Sequence, residues 1–372
     1  MPYRILHIAD VHLDMAFAGL DAGLANRRRA QLQDAFERTL ALARERKVDA
    51  LCIAGDLYED GRSGLDRAAY LRRSFLDLAP LRVFVSPGNH DPFTPASLYR
   101  YMDVPDNVTI FAERRMRAVE LTGGLTLWGC GHEYALDREP ILKGFACEGD
   151  GMHLLLFHGS DSAHMPPDKE CIAPFTDADL QRSGAAHAMV GHFHSQLSRG
   201  RYAYPGSPEP HTFAQAGRHT ASLVTIENRR VGVDFIDVNR TRYVTLDFDL
   251  TGMSDRAAVS TVLRSEIAAA VADKPGEVFC RVRLVGAAAP TLEASSTELT
   301  EELSPAFPGL EIVEAFASFD LAAIQNEGHT VRAEFVRALL KRREAAGDAE
   351  RLQLDRALHY GLLAFAGKPL QI

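Results

Sequence analysis

Five short stretches of this sequence carry side chains suited to holding metal ions. They are Asp10-Val11-His12, Gly55-Asp56, Gly88-Asn89-His90-Asp91, His158-Gly159 and Gly191-His192-Phe193-His194. Singly, an Asp-x-His tripeptide or a Gly-Asp pair is usually a turn. Five of them in order, each directly after a short apolar run, form a specific pattern. Two divalent cations about 3.5–4 Å apart repel each other, so a carboxylate must be shared between them. Asp56 is read as that bridge. Asp10, His12 and His194 complete one metal site, and Asn89, His158 and His192 the other. Asn89 offers a neutral carbonyl oxygen, which holds a cation without adding charge. Imidazole, carboxylate and amide donors without a thiolate favour Mn²⁺ or Fe over structural zinc, with Zn²⁺ as a further alternative. A hydroxide lodged between the cations, its pKa depressed towards neutrality, can attack a bound phosphate in line. His90 is free to donate a proton to the leaving oxygen. Asp91 is expected to orient His90 by accepting its other N–H.

The apolar runs that precede these stretches define the framework. Ile5 to Ala9, Ala50 to Ala54, Arg82 to Val85, Leu125 to Trp128, His153 to Phe157 and Ala188 to Val190 read as short buried strands. Leu32, Phe36, Leu40 and Ala43 recur at helical spacing among Arg, Gln and Glu. Strands alternating with helices imply a layered α/β architecture. In such folds ligands gather where strands end and loops begin. Separate loops can therefore converge on one cleft.

The pattern changes near Asp237 to Arg242. Val244, Leu246, Phe248 and Leu250 alternate with polar residues, as a half-buried strand does. Ser254 is placed to cap a helix with Val259, Val262, Leu263, Ile267 and Val271 inward. Val278, Cys280, Val282 and Leu284 form a second alternating strand. Thr330 then caps a helix bearing Val331, Phe335, Leu339 and Leu340. A last helix bears Leu354, Leu358, Leu362 and Phe365 and stops at Gly367.

With 372 residues the chain is too long for one ordinary domain. Apolar residues at 46% and charged residues at 24% fit a globular protein with a substantial core. No run reaches the roughly 18 apolar residues of a membrane span. The first apolar stretch is too short for a signal peptide and runs into Asp10, so a cytoplasmic location without membrane association is expected. Cys52, Cys130, Cys147, Cys171 and Cys280 are scattered, without a CxxC pair, and are expected reduced. The net charge of −9 argues against a nucleic-acid binder, whose footprint is usually basic. A carboxylate-lined metal site inflates that count until cations bind. The Arg27-Arg28-Arg29 run reads as a solvated helix start, with phosphate contact as the alternative.

Together the five stretches resemble the calcineurin-like metallophosphoesterases over roughly Met1 to Val238. Ile8-Ala9-Asp10-Val11-His12-Leu13-Asp14, Ala54-Gly55-Asp56-Leu57-Tyr58 and Tyr204-Pro205-Gly206-Ser207-Pro208 look most like the DNA-repair nuclease subunits of the SbcD and YhaO type. The resemblance implies a four-layer α/β/β/α sandwich over 1–240, a small α+β cap over 241–320 and a helical segment over 321–372. It implies a Mn²⁺-dependent DNA exo- or endonuclease with two divalent metal ions, working with a coiled-coil ATPase of the SbcC or YhaN type, with room for a homodimer. Some nucleases of the family place a histidine three residues after the bridging aspartate. Here that residue is Glu59, which leaves substrate preference open. Two other readings compete. One is a phosphoesterase for small molecules or proteins. Protein phosphatases of the superfamily usually carry Gly-Asp-x-x-Asp-Arg, and Gly55-Asp56-Leu57-Tyr58-Glu59-Asp60-Gly61 lacks that arginine. The other is a binding module with a vestigial metal core.

Overall fold

The computed structural model describes residues 2–166, 169–250, 253, 255–272, 277–285, 295–307, 309–314, 319, 321–346 and 348–367. The chain divides into two compact units, Met1–Arg242 and Tyr243–Ile372.

In chain order the first unit contains β1 (Tyr3–Ile8), α1 (Ala22–Glu45), β2 (Ala50–Ala54), α2 (Leu65–Leu76), β3 (Arg82–Ser86), β4 (Val108–Ile110), β5 (Arg117–Thr122) and β6 (Leu125–Gly129). There follow β7 (Met152–His158), α3 (Asp177–Ser183), β8 (His187–Gly191), β9 (Leu197–Arg199), β10 (Tyr202–Tyr204), β11 (Thr220–Glu227) and β12 (Arg230–Asp237). One six-stranded sheet has the order β12-β11-β1-β2-β3-β4, the other β5-β6-β7-β8-β10-β9. Within each, the central strands are parallel: β1 to β4 in the first, β6 to β8 in the second.

Side-chain alternation sorts these strands into layers. On β2, Leu51 and Ile53 join Phe36, Phe75 and Val83 under α1 and α2. Ala50, Cys52 and Ala54 face the other way and meet Leu154, Leu156 and Met189 between the sheets. On β7, Leu155 and Phe157 turn outward to Phe175 and Leu180 of the α3 side. The result is the expected α/β/β/α order, with the central parallel strands buried on both faces. Gly191 on β8 passes so near β2 that a Cβ there would lie 1.8 Å from the Ala54 carbonyl oxygen.

On α1 the expected face Leu32, Phe36, Leu40 and Ala43 is buried. Asp21 caps the helix, accepting from Gly23 N–H at 2.9 Å and Leu24 N–H at 3.0 Å. Arg28, expected in solvent, is instead fully buried. Its guanidinium donates to the Pro210 carbonyl at 2.6 Å and to Thr241 Oγ1 at 2.9 Å. Strands β4, β5 and β9 to β12 and helices α2 and α3 were not anticipated. Most are polar-rich or very short and leave no apolar run to read; β11, with Ala221, Val224 and Ile226 buried, is the exception. Of the five cysteines, Cys52, Cys130 and Cys280 are buried, and all five are free thiols.

The second unit contains β13 (Thr241–Asp249, beginning at the junction), α4 (Arg256–Val271), β14 (Glu277–Val285), α5 (Ser296–Leu303), β15 (Leu310–Glu314), α6 (Leu321–Gln325), α7 (Val331–Ala345) and α8 (Asp348–Phe365). Strands β13, β14 and β15 form one sheet in that order. Phe248, Cys280, Val282 and Leu284 bury against Val259, Leu263 and Ile267 of α4. Val262, expected on that inner face, is 39% exposed. Ser254 lies outside the described residues; Asp255 caps α4 by accepting from Ala258 N–H at 2.9 Å. Thr330 caps α7 as expected. A separate apolar cluster joins Ile324 of α6 and Val336 of α7 to Leu358 and Leu362 of α8. Among the described residues no helix is long and apolar enough to cross a membrane.

His7 on β1 and His187 on β8 are buried within this framework. Burial, and secondarily the His187 charge, pulls His7 down to about 3. Burial pulls His187 down to about 4. In an unfolded chain both would titrate near 6.5. The unfolded state therefore takes up protons first as pH falls. The contribution of neutral His7 and His187 is intact above pH ~6.5, shrinks as pH drops towards about 3, and then levels off. His7→Asn can keep the hydrogen bond to Ser222 Oγ, 3.0 Å away, without titrating. Denaturation midpoints measured from pH 7.5 to 4 should fall less steeply for His7→Asn than for wild type; parallel curves would refute this.

Candidate metal centre

The expected residues meet at one edge of the sandwich because the strands end in register. Ile8 pairs with Ile53, Ala54 with Ser86, and His158 with Gly191. The chain turns sharply at each strand end. Asp10, His12, Asp56 and His192 have φ of 54°, 51°, 53° and 113°, which non-glycine residues rarely adopt. Neighbouring turns hold these conformations. Asp10 N–H donates to the Gly55 carbonyl at 3.1 Å, and His12 N–H to the Asp56 carbonyl at 2.9 Å. His192 N–H donates to Asp10 Oδ2 at 3.0 Å. Gly88 must lack a side chain, since a Cβ there would lie 2.3 Å from Asp56 Oδ1.

Asp56 is 1% exposed and sits in the middle of the group. Its Oδ2 lies 3.6 Å from His12 Nε2 and 3.3 Å from His158 Nε2. On one side, His12 Nε2 is 3.3 Å from His194 Nε2, which is 3.6 Å from Asp10 Oδ1. On the other, His158 Nε2 is 3.0 Å from Asn89 Oδ1. Asp56, His158 and His192 each offer a ligand atom within 4.8 Å of the other two. The structure thus brings together all seven residues expected to hold metal, with Asp56 between the two subsets.

The outer contacts favour ligation. His158 Nδ1 donates to the Ala54 carbonyl at 2.8 Å, which leaves Nε2 to face Asp56. His192 Nε2 donates to the Glu170 carbonyl at 2.9 Å, and its buried Nδ1 has no hydrogen-bond partner. His12 Nδ1 donates to Glu59 Oε1 at 2.7 Å. Such bonds set the tautomer of a metal-binding imidazole. Lys169 Nζ lies 2.7 Å from His194 Nε2. The donor set and the orphaned His192 Nδ1 fit divalent ions. Burial holds Asp10 above the ordinary carboxylate range. At Asp56 burial is outweighed by His158, His90 and His12, which hold it well below that range and keep it ionised.

Asp91 does not do what was expected of it. Its buried carboxylate accepts N–H bonds from Gly88 at 2.6 Å, Leu57 at 2.9 Å and Asp56 at 3.0 Å, and the Tyr99 hydroxyl at 2.6 Å. It ties two turns together and has no contact to spare for His90. Glu59 takes the orienting position instead. Its Oε2 accepts from His90 Nδ1 at 3.0 Å while Oε1 holds His12. Burial would raise the Glu59 pKa, but hydrogen bonds from His12 and His90 pull it down to about 2. The sequence flagged that position only as a departure from a family histidine. Nothing in it pointed to Lys169, or to Gln215, whose Nε2 lies 2.7 Å from His194 Nδ1.

A family model for the calcineurin-like phosphoesterases matches residues 3–216, more than half of the chain. The protein belongs to this family of hydrolases, whose members work with divalent metal ions. Among curated proteins it is similar to the uncharacterized metallophosphoesterase YhaO of Bacillus subtilis, 26% identical over 75% of this chain and 70% of that one. It is also similar to the DNA double-strand break repair protein Mre11 of Methanopyrus kandleri, 26% identical over 66% of this chain and 56% of that one. The Mre11 of Aeropyrum pernix is 30% identical over 56% of this chain and 54% of its own length. The chain thus spans about half the length of these two Mre11 relatives.

Glu59→Gln removes the charge that holds two imidazoles. It is expected to weaken Mn²⁺ binding about 10–100-fold by titration calorimetry, the usual effect of losing an outer partner of a ligand. Unchanged affinity would show that Glu59 does not position His12.

Proposed function

We propose that this chain is a two-metal phosphodiesterase that cleaves DNA, as the exo- or endonuclease subunit of a repair complex. The observation that carries the reading is the placement of His90. Its side chain is 45% exposed, whereas those of His12, Asp56 and His158 are 3%, 1% and 0% exposed. A phosphodiester arriving from solvent meets His90 at the open edge of an otherwise buried donor cluster. Two divalent cations, when bound by Asp10, His12, His194, Asn89, His158, His192 and the shared Asp56, supply a nucleophile at neutral pH and neutralise phosphate charge. Mn²⁺ or Fe suits this set.

The protein's own contribution is positional and protonic. His90 N–H donates to Asp56 Oδ1 at 2.9 Å, which fixes the backbone beside the shared carboxylate. Burial alone would lower the His90 pKa, but the Asp56 and Glu59 charges raise it to about 9. In the metal-free chain this keeps the imidazole protonated at neutral pH; cations held by Asp56 would offset part of that charge. With Nδ1 engaged by Glu59, Nε2 is left to give a proton to the leaving oxygen.

DNA as substrate is supported by the relatives named for double-strand break repair. The closing helices, with Val331 77% and Phe365 44% exposed, suit the docking of a coiled-coil ATPase. The net charge of −9 favours the second reading, a phosphoesterase for small or protein substrates. Labelled single- and double-stranded DNA incubated with Mn²⁺ and purified protein distinguishes the two. His90→Ala should lower kcat about 10²–10⁴-fold while metal content stays at the wild-type level. Failure to cut any DNA, with or without an ATPase partner, alongside brisk hydrolysis of bis(p-nitrophenyl) phosphate, would overturn the nuclease reading.

A further inference from the structure

His211 follows the turn after β10 and belongs to none of the five stretches. It is 3% exposed, and neither of its ring nitrogens has a hydrogen-bond partner. An imidazole ordinarily satisfies both nitrogens when buried, so an orphaned ring calls for an explanation. Its surroundings offer one. The ring centroid lies 4.9 Å from that of His12 and 4.8 Å from that of His194, edge to face in both cases. His12, His194 and His211 each present a ligand atom within 4.8 Å of the other two.

The backbone beneath His211 is fixed from two sides. The buried Arg28 guanidinium donates to the Pro210 carbonyl at 2.6 Å. His211 N–H donates to Gln215 Oε1 at 2.8 Å, and the same carboxamide reaches His194 Nδ1 through its nitrogen at 2.7 Å. One glutamine therefore ties the His211 main chain to the His194 ring. One unpartnered His211 nitrogen therefore faces the group that His12 and His194 would use for a cation.

We propose that His211 is an additional nitrogen ligand for the cation held by Asp10, His12 and His194. The proposal rests on the reading of those residues as a metal site. It makes the two sites chemically unequal. One presents three imidazoles with the Asp10 carboxylate, the other two imidazoles with the Asn89 amide, and Asp56 is shared. The nitrogen-rich site suits a borderline transition ion such as Fe²⁺, Co²⁺ or Zn²⁺, whereas the site with the amide oxygen suits Mn²⁺ better.

The test uses the full chain freed of metal and titrated with Co²⁺, followed by calorimetry and by the visible absorption of the bound ion. Wild type should take up two ions. His211→Leu should keep one ion at wild-type affinity, weaken the other about tenfold or more, and change the visible spectrum. In the metal-free state it should be at least as stable as wild type, because it removes two buried unpaired atoms. Two ions bound with unchanged affinity and spectrum in His211→Leu would overturn the role of His211 while leaving the metal site standing. Failure of wild type to bind any ion would overturn the underlying reading instead. Should His211→Leu not fold, wild type loaded with Co²⁺ decides the matter by proton NMR. Five hyperfine-shifted imidazole N–H signals are expected, and four would exclude His211.

Discussion

The Asp56 carboxylate is wholly buried, lies between His12 and His158, and accepts the His90 main-chain N–H. Around it stand a second buried carboxylate, Asp10, and the buried imidazoles of His12, His158 and His192. Gathering such groups away from water is unfavourable unless they are paired. Several of the residues also sit at positive φ, each costing on the order of 1–3 kcal/mol. The sandwich behind them must over-determine these positions. It does so through parallel strands ending in register, cross-turn hydrogen bonds, and Asp91, which clamps the turns after β2 and β3 with three N–H contacts. Divalent ions would relieve the electrostatic part of this cost.

Glu59 shows how one side chain outside the ligand set can shape both halves of the chemistry. A single carboxylate accepts from Nδ1 of His12 and from Nδ1 of His90. The first contact fixes a tautomer. The second helps raise the His90 pKa in the metal-free chain. A histidine at this position could not supply the same negative charge.

Legibility from sequence followed burial. The six strands read from apolar runs are present, and Ala50 to Ala54 match residue for residue. These strands are covered on both faces, so their composition is continuous and conspicuous. Edge strands such as β12, with alternating exposure, leave no such trace. On α4, Val262 was assigned inward by spacing alone and lies outward, because a helical stripe is wider than the contact that covers it. Arg28 departs from its expected solvent exposure for the opposite reason. Its burial depends on Pro210 and Thr241, which lie far along the chain.

What the sequence by itself determined was the inventory of donors and their attachment to strand ends, since each ligand pair follows directly from a local turn. Tertiary structure alone decided which groups share a partner. Asp91 faces backbone amides rather than His90, and Glu59 spans His12 and His90. Those outcomes depend on the distance between two β-sheets and on loops crossing between them. No local spacing encodes such a separation, because it is set by how side chains from both sheets fill the layer between them.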